Sequence, residues 1–250
     1  MGNVIPFVEG GYRYIEGVFQ YSAGVAAEDG FVIERARLAK PLPLAEGFAA
    51  VEVHLASIGR PTTALCACEL RSPEPFSEQG FVDFNRQYVE TLERWGLYRE
   101  GTNPVARTNV CPEFGKPAEP SLYAFSYTVP TRAVRPSFII AGGGEAREGA
   151  GTYEEVVVRL GDLSRDGLRE KISFVMSTME SRLADFGFDW SDSNTAQLYT
   201  VHDIGSLVGE EVVARGAAPA GLEWHFSRPP VVNIEFEMDV RGAAREIVIG

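Results

Sequence analysis

The chain has 250 residues, of which 45% are hydrophobic, and it carries 23 lysine and arginine residues against 35 aspartate and glutamate residues. The net charge of -12 would repel nucleic acids and anionic membranes, because no cluster of basic residues offsets it. No window approaches the roughly 18 apolar residues of a membrane span. The segment Met1 to Gly11 has no secretory signal pattern, so a soluble, cytoplasmic protein is expected.

Two stretches with helical spacing share one pattern of apolar residues. Across residues 44–58 apolar residues recur at four- and three-residue intervals, the spacing of a helix with one buried face, and Gly59 ends the pattern. A shift of 128 residues places the same pattern across residues 172–186, again followed by a glycine, Gly187. The two stretches therefore predict an internal repeat.

Strand patterns flank both predicted helices in the same order. A strand precedes each helix, a short strand and a second helix follow it, and two strands close each half. These segments are residues 18–25, 64–70, 81–95, 105–111 and 122–129 in the first half, and residues 138–142, 197–201, 204–215, 222–226 and 231–240 in the second. The sequence therefore predicts an α+β fold that is a tandem duplication, each unit a mixed β-sheet backed by two helices on one face.

A cluster of prolines and arginines marks the predicted boundary between the two units. Pro130, Arg132, Arg135 and Pro136 interrupt the strand patterns on either side. The predicted domains are residues 1–131 and 132–250. The loop Pro112 to Pro120 has no counterpart of comparable length in the second half.

Three carboxylates alternate along the last predicted strand. Because successive side chains of a strand point to opposite faces, Glu235, Glu237 and Asp239 are expected on one face and the intervening apolar residues on the helix side. Three adjacent carboxylates repel one another when they are buried away from water. Either this face is solvated and has no chemical role, or at least one acid is partly buried with a raised pKa and acts as a general acid/base.

Arg107 lies between apolar residues in a strand pattern of the first half, where an arginine needs an anion partner. The matching segment of the second half has no arginine, and the closing strand of the first half has no acid. The halves are complementary, which predicts one small-molecule site. The run Gly142, Gly143 and Gly144 continues into no phosphate-binding fingerprint, which favours a tight turn or a close approach of the backbone to a ligand.

Histidines and cysteines give no sign of a metal site or a disulfide framework. His54, His202 and His225 are isolated, so no metal is expected. The three cysteines are an odd number, and Cys66 and Cys68 alternate within an apolar run that predicts a buried strand.

Several short segments resemble the reactive-intermediate deaminase family, also called RidA/YjgF. In the first half they are Pro6 to Gly10, Tyr21 to Gly24, Phe84 to Tyr88 and Pro104 to Val110, and in the second half Ile234 to Glu237. The resemblance implies that each unit has the chorismate-mutase-like fold of that family. It also implies homo-oligomers with ligand sites between units.

The resemblance also implies an activity and a set of site residues. Active members hydrolyse enamines and imines of amino acids. By resemblance, Glu235 is the catalytic acid/base, Arg107 binds the substrate carboxylate, and Asn109, Asn85 and Phe7 line the pocket. Asn109 and Phe7 stand where the family has a cysteine and a tyrosine. No metal or organic cofactor is implied.

Within that family, a tandem chain with a long loop is most similar to the deaminases of 2-aminomuconate and 2-amino-5-chloromuconate, which act in aromatic-compound degradation. The implied reaction is hydrolytic release of ammonia from an enamine carboxylate. A muconate has a second carboxylate, for which Arg71 is the candidate partner, although Arg71 could equally pair with Glu69 or Glu74.

Two other functions remain open at this point. Chorismatases also resemble fused units of this fold, so a chorismate-processing hydrolase is an alternative. A non-catalytic ligand-binding or interaction module would be favoured if Arg107 and Glu235 lay far apart. The charge of -12 disfavours a ribonuclease.

Overall fold

The computed structural model describes residues 2–132, 136–147 and 153–250, with the backbone alone at residues 153 and 154. Its strands are β1 Val4–Phe7, β2 Tyr12–Ile15, β3 Gly24–Ala27, β4 Phe31–Pro43, β5 Leu65–Arg71, β6 Ala106–Pro112, β7 Ser121–Pro130, β8 Phe138–Gly144, β9 Thr195–Tyr199, β10 Glu223–His225, β11 Ser227–Arg228, β12 Glu237–Gly242 and β13 Arg245–Ile249. Its α-helices are α1 Leu44–Ser57, α2 Glu78–Arg94, α3 Tyr153–Val156, α4 Arg165–Phe186 and α5 Gly205–Leu207. None of the helices in the described ranges has the length and apolarity needed to cross a bilayer.

The long helices begin and end at residues that suit these positions. Ser77 and Ser164 cap α2 and α4, each accepting a hydrogen bond from a backbone N–H three residues later. Gly187 ends α4 in the left-handed conformation, with φ of 80°. The helices predicted from apolar spacing across residues 44–58, 81–95 and 172–186 are therefore confirmed. The helix predicted across residues 204–215 is confirmed only in part, because residues 205–215 are helical but consist of α5, a π-helical turn and a 3-10 turn in succession.

The strands form two mixed sheets, and each sheet contains strands from both halves of the chain. The seven-stranded sheet has the order β1-β2-β3-β8-β12-β9-β10, and the six-stranded sheet has the order β11-β6-β5-β7-β4-β13. In the first sheet β3 pairs with β8, so the N-terminal strands continue the sheet of the second half. In the second sheet β13 runs parallel to β4, and β11 pairs with β6.

The predicted tandem of two chorismate-mutase-like units is therefore wrong. Each sheet is completed by strands from the other half of the chain, so neither half forms a sheet by itself. Within the described residues, the seven-stranded sheet also has one long helix, α4, where the prediction had two helices. Apolar periodicity indicates which face of an element is buried but not which strands pair, and this is why the repeat of helix spacing was misleading. The fold is α+β with two mixed sheets.

The predicted domain boundary at residues 131 and 132 falls in the connection from β7 to β8. Arg135, one of the residues that marked it, lies outside the described residues. The division into domains 1–131 and 132–250 stays a prediction.

Each sheet has its own apolar core on the helix side. α1 and α2 cover the six-stranded sheet, with residues such as Val51, Leu55 and Tyr88 buried against it. α4 covers the seven-stranded sheet through residues such as Ile172, Val175 and Met179. Cys66, Cys68 and Cys111 are buried and free.

The faces of the two sheets that point away from the helices carry a buried network of charged groups. Glu69 on β5 accepts two hydrogen bonds from Arg35 at 2.6 and 2.7 Å and one from Arg241 of β12 at 2.9 Å. Although burial alone would raise it, the pKa of Glu69 is lowered well below its ordinary value by Arg241 and Arg35. This ion cluster joins the six-stranded sheet to the seven-stranded sheet.

A second set of bonds extends this network towards β8. Thr108 on β6 donates to Asp239 on β12 at 2.8 Å and accepts from the backbone N–H of Gly142 at 3.1 Å. Asp239 also accepts from the Tyr199 hydroxyl at 2.9 Å. β6, β8 and β12 are thereby held in one arrangement.

Glu69→Gln should lower the free energy of unfolding by about 3–5 kcal/mol, because the buried Arg35 and Arg241 would each lose the nearer of their two carboxylate partners. Urea denaturation measures this change. Asp83→Asn breaks an exposed ion pair on α2 and should change the stability little. Equal destabilisation by the two substitutions would contradict a structural role for the network.

Candidate active site

A cavity of about 500 Å³ lies where the two sheets meet. Its wall is formed by parts of both sheets, of helices α2, α3 and α4, and of three loops. Its lining residues include Gln20, Tyr21, Phe81, Arg107, Asn109, Gly142, Gly143, Gly144, Arg147, Val156, Phe174, Arg182 and Glu237.

Arg107 enters the cavity from β6 and is surrounded by aromatic rings. Its guanidinium carbon lies 4.8 Å from the ring centroid of Tyr88, 5.0 Å from that of Tyr21 and 5.5 Å from that of Phe81. The residue is 3% exposed, and burial lowers the pKa of the guanidinium. Within the described part of the chain it has no ion-pair partner, so a buried cation faces the cavity with aromatic π-faces around it.

Glu237 is the first residue of β12 and is 5% exposed. Burial, followed by repulsion from the Asp239 carboxylate, raises its pKa to about 8, against the opposing effect of Arg107. The carboxyl group is therefore largely protonated at neutral pH. A carboxylic acid of this kind can both donate and accept a proton near physiological pH.

Glu235 does not line this cavity. Its carboxylate lies 2.7 Å from Nε2 of His202, and both side chains are partly exposed. The segment before Glu237 is not part of the strand, because the buried Glu145 carboxylate accepts the backbone N–H groups of Glu235 and Phe236 at 2.7 and 3.0 Å. The alternation predicted across residues 234–240 therefore starts only at Glu237.

Lys171 keeps Glu145 in this position. Its ammonium group lies 3.1 Å from the Glu145 carboxylate, and both side chains are fully buried. The pair fixes the backbone that leads into β12 and so determines which glutamate enters the cavity. The face of β12 that carries Glu237, Asp239 and Arg241 is buried, so the alternative of a solvated acidic face is wrong.

The glycine run on β8 lets side chains come close to the strand from both faces. A Cβ atom on Gly142 would lie 2.2 Å from Oε1 of Glu237, and one on Gly143 would lie 3.2 Å from Nη1 of Arg182. Any side chain at these positions would displace a polar group of the cavity. The glycines therefore allow the side chains that line the cavity to approach the backbone of β8 closely. An approach of this backbone to a ligand stays a prediction.

Among the described residues, three that line the cavity have a buried polar atom that no described group hydrogen-bonds. They are Nη1 of Arg107, Nδ2 of Asn109 and Oε1 of Gln20. The Asn109 side chain is oriented by Ser72, whose hydroxyl donates to its Oδ1 at 3.0 Å. Because unpaired buried polar atoms are costly, these donors and this acceptor indicate a site for a polar ligand.

Of the residues predicted from sequence, Arg107 and Asn109 line the cavity. Phe7 packs on Tyr12, with ring centroids 5.2 Å apart, and lies outside the lining. Asn85 is fully buried in α2, and neither polar atom of its amide is hydrogen-bonded to a group in the described part of the chain.

Arg71 is also outside the lining. Its guanidinium stacks 4.0 Å from the ring centroid of Tyr123 and donates to the backbone carbonyl of Leu70. Its alternative partners are engaged elsewhere, Glu69 with Arg35 and Arg241, and Glu74 with Lys116.

Sequence reasoning missed two arginines of the cavity, Arg182 and Arg147. Arg182 gave a signal, because it falls on the apolar stripe of α4 between Met179 and Phe186, where a charged residue is unexpected. Arg147 gave none. Across the described residues, no group of three or more histidine, cysteine, aspartate and glutamate side chains is arranged to hold a metal ion.

The chain is similar to proteins of known activity over its whole length. It matches the family described as 2-aminomuconate deaminase CnbZ over residues 4–247. It is 59% identical to the 2-amino-5-chloromuconate deaminase of Comamonas testosteroni over 251 residues, which cover 100% of both chains.

Two solved structures are more distantly similar. A proposed endoribonuclease of Thermotoga maritima is 16% identical, with a TM-score of 0.34 over 53% of this chain and 90% of that protein. The cyanuric acid hydrolase of A. caulinodans is 12% identical, with a TM-score of 0.42 over 88% of this chain and 69% of that protein. Similarity at this level assigns no function.

Glu237→Gln should make the protein more stable at high pH. The folded-state pKa of about 8 lies above the ordinary value of 4.5, so the wild type loses stability as the pH rises from about 4.5 through 8. The glutamine variant has no such loss, and its advantage in melting temperature should grow between pH 5 and pH 9. Glu78→Gln, which removes an exposed carboxylate at the same cavity, is the matched control. Parallel stability curves for the wild type and Glu237→Gln would contradict the raised pKa.

Proposed function

The chain belongs to the CnbZ family of 2-aminomuconate deaminases, and we propose that it hydrolyses an aminomuconate in the cavity lined by Arg107 and Glu237. The observation that carries the proposal is that a buried arginine without an ion-pair partner among the described residues and a largely protonated carboxyl group line one cavity. These two groups suit a substrate that has a carboxylate next to an enamine. The proposed substrate is 2-aminomuconate or 2-amino-5-chloromuconate, the compound that names the Comamonas relative.

Arg107 fixes the substrate in this proposal. A guanidinium can donate two parallel hydrogen bonds to one carboxylate, and Nη1 of Arg107 is among its free donors. Binding the carboxylate also gives this buried cation a counter-ion. The aromatic rings of Tyr21 and Phe81 then provide apolar surface for the conjugated carbon chain.

Glu237 acts first as an acid. It donates its proton to a carbon of the enamine, and the nitrogen lone pair forms a C=N bond, so the enamine becomes an iminium ion. The resulting Glu237 carboxylate then accepts a proton from a water molecule whose oxygen attacks the C=N carbon. A pKa near the working pH suits both roles.

The final step releases ammonia. The nitrogen of the carbinolamine takes up the proton held by Glu237, the C–N bond breaks with its electron pair on nitrogen, and a C=O bond forms as the hydroxyl proton is lost to the carboxylate. One water molecule is consumed for each ammonia released, and Glu237 ends protonated as it began. We propose a hydrolase on this basis, with side chains and water providing every step, and we expect activity to survive treatment with a chelator.

Three broader expectations belong to the same proposal. Kinship with the RidA/YjgF family is proposed as well, and it is supported by the short segments of the chain that resemble that family. A homo-oligomer and a cytoplasmic location are likewise proposed. Light scattering coupled to size-exclusion chromatography tests the oligomeric state, and fractionation of the source cells tests the location.

Glu237→Gln should lower kcat for ammonia release by about 100-fold or more, because glutamine cannot transfer a proton. Glu235→Gln is the matched variant two residues away, and we expect it to change kcat only slightly, since Glu235 contacts His202 outside the cavity. Steady-state assays of ammonia release from 2-aminomuconate measure both. Loss of turnover in Glu235→Gln with activity retained in Glu237→Gln would overturn the assignment.

The value of kcat/KM should fall as the pH rises above about 8, because the free enzyme must hold the proton on Glu237 before the first step. Arg107→Lys should raise KM more than it lowers kcat, since lysine keeps the charge but loses the two-point contact. A pH profile of the wild type and kinetics of the variant test these expectations. A pH-independent kcat/KM between pH 7 and pH 10 would contradict the acid role.

A further inference from the structure

We propose that the side-chain amide oxygen of Gln20 accepts a hydrogen bond from the amino group of the substrate, and that Gln20 thereby discriminates the amino substrate from its oxo product. The inference rests on the proposed function and deepens it by assigning a residue to the reacting nitrogen. Gln20 lies in the loop between β2 and β3. It lines the same cavity as Arg107 and Glu237, the residues of the proposed reaction.

Gln20 provides an acceptor where the other unpaired atoms of the lining are donors. Its Oε1 atom is buried and has no hydrogen-bond partner among the described residues. The other two such atoms of the lining are Nη1 of Arg107 and Nδ2 of Asn109, and both carry hydrogen. Donors match the oxygens of a carboxylate, whereas an acceptor needs an N–H or O–H group. A ligand that satisfies all three atoms therefore has a donor as well as acceptors.

The loop that carries Gln20 is fixed to the segment that leads into β6. The side chain of Asn103, which is 2% exposed, donates to the backbone carbonyl of Gln20 at 2.9 Å and accepts from the backbone N–H of Val105 at 3.0 Å. Ser22 donates its backbone N–H to the carbonyl of Val105, also at 3.0 Å. Because Arg107 follows Val105 by two residues, these bonds fix the backbone of Gln20 relative to that of Arg107.

The residue after Gln20 shows how close this loop comes to the proposed carboxylate-binding group. The ring centroid of Tyr21 lies 5.0 Å from the guanidinium carbon of Arg107. In the proposed substrate the amino group is bonded to the carbon next to one carboxylate. A carboxylate on Arg107 thus brings the amino nitrogen to the part of the cavity that this loop lines, and the amino group is the donor that Gln20 requires.

The hydrogen bond to Gln20 should become stronger as the proposed reaction begins. When Glu237 donates its proton to carbon, the nitrogen lone pair forms the C=N bond and the nitrogen becomes positively charged. Hydrogen bonds with an ionised partner are about twice as strong as those between neutral groups. The partial negative charge of the amide oxygen should therefore stabilise the iminium ion more than the enamine.

The same oxygen disfavours the product. Hydrolysis replaces the amino group by a carbonyl oxygen, which has lone pairs but no hydrogen to donate. Two acceptor oxygens that face each other repel, and Oε1 of Gln20 is left without a donor. We expect the oxo product to bind more weakly than an amino compound of the same shape.

Two unreactive ligands test this preference, pyrrole-2-carboxylate and furan-2-carboxylate. Both are planar, conjugated monocarboxylates, and they differ in having N–H or O next to the carbon that bears the carboxylate. Isothermal titration calorimetry with the full chain should show about tenfold tighter binding of pyrrole-2-carboxylate by the wild type. Gln20→Leu should bring the two affinities within about twofold of each other, because the acceptor is lost. The bond from Asn103 reaches the backbone of Gln20, so this substitution leaves the loop attached.

Three further variants separate recognition from a structural effect. Gln20→Glu keeps an acceptor oxygen and should retain the preference for pyrrole-2-carboxylate, even where its charge weakens both ligands. Arg107→Gln should weaken both ligands alike, because they share the carboxylate. Gln79→Leu makes the same exchange as Gln20→Leu at an exposed position of α2 outside the lining, and it should keep the wild-type affinities.

Ammonia release from 2-aminomuconate gives a second measurement. Gln20→Leu should lower kcat/KM by about tenfold or more, since the lost bond is stronger to the iminium ion than to the enamine. A lower kcat/KM with the ligand preference unchanged would mean that Gln20 acts only through the structure of the loop, and this would overturn its role in recognition.

The outcomes separate the inference from the proposed function. If the wild type releases ammonia but does not bind pyrrole-2-carboxylate more tightly than furan-2-carboxylate, or if Gln20→Leu keeps the wild-type preference, the role of Gln20 is overturned and the proposed function stands. Loss of the preference in Gln20→Glu would also overturn it, because the amide would then act as a donor. If the wild type releases no ammonia, the proposed function fails, whereas a pyrrole preference that Gln20→Leu removes would still support recognition of an N–H group by Gln20.

Discussion

The ion cluster around Glu69 is the interaction on which the arrangement of the two sheets depends. Arg35 comes from the same sheet as Glu69 and Arg241 from the other, so one carboxylate links both layers. A buried carboxylate that must satisfy two arginines tolerates little displacement, because any separation leaves a charge unpaired in a medium of low dielectric. The sheets are thus held at the spacing and register that form the cavity beside them.

The cavity combines groups that neither sheet provides alone. The six-stranded sheet contributes Arg107, and the seven-stranded sheet contributes Glu237 with the glycine run of β8. Asp239 accepts hydrogen bonds from Thr108 and Tyr199, and its charge raises the pKa of its neighbour Glu237. The network that holds the sheets together therefore also sets the protonation of the proposed acid.

The sequence predicted the local elements well and their assembly poorly. The amphipathic spacing of α1, α2 and α4 and the glycine after α4 were sufficient to predict three long helices, because these signals lie within a few residues of one another. The pairing of β3 with β8 joins segments more than 100 residues apart, and no local pattern indicates it. For this reason two similar helix patterns suggested two separate units where the strands instead cross between sheets.

By itself, the sequence determined the long helices, the buried strand with Cys66 and Cys68, the complementary Arg107 and acidic β12, and the likeness to a deaminase family. Only the tertiary structure decided that Glu237 enters the cavity while Glu235 contacts His202, since Glu145 holds the backbone before β12. It also decided that Arg182 shares the cavity and that Arg71 does not. Contacts between segments distant in the chain set these outcomes. The spacing of side chains indicates which face of an element is buried, but not which distant segments meet there.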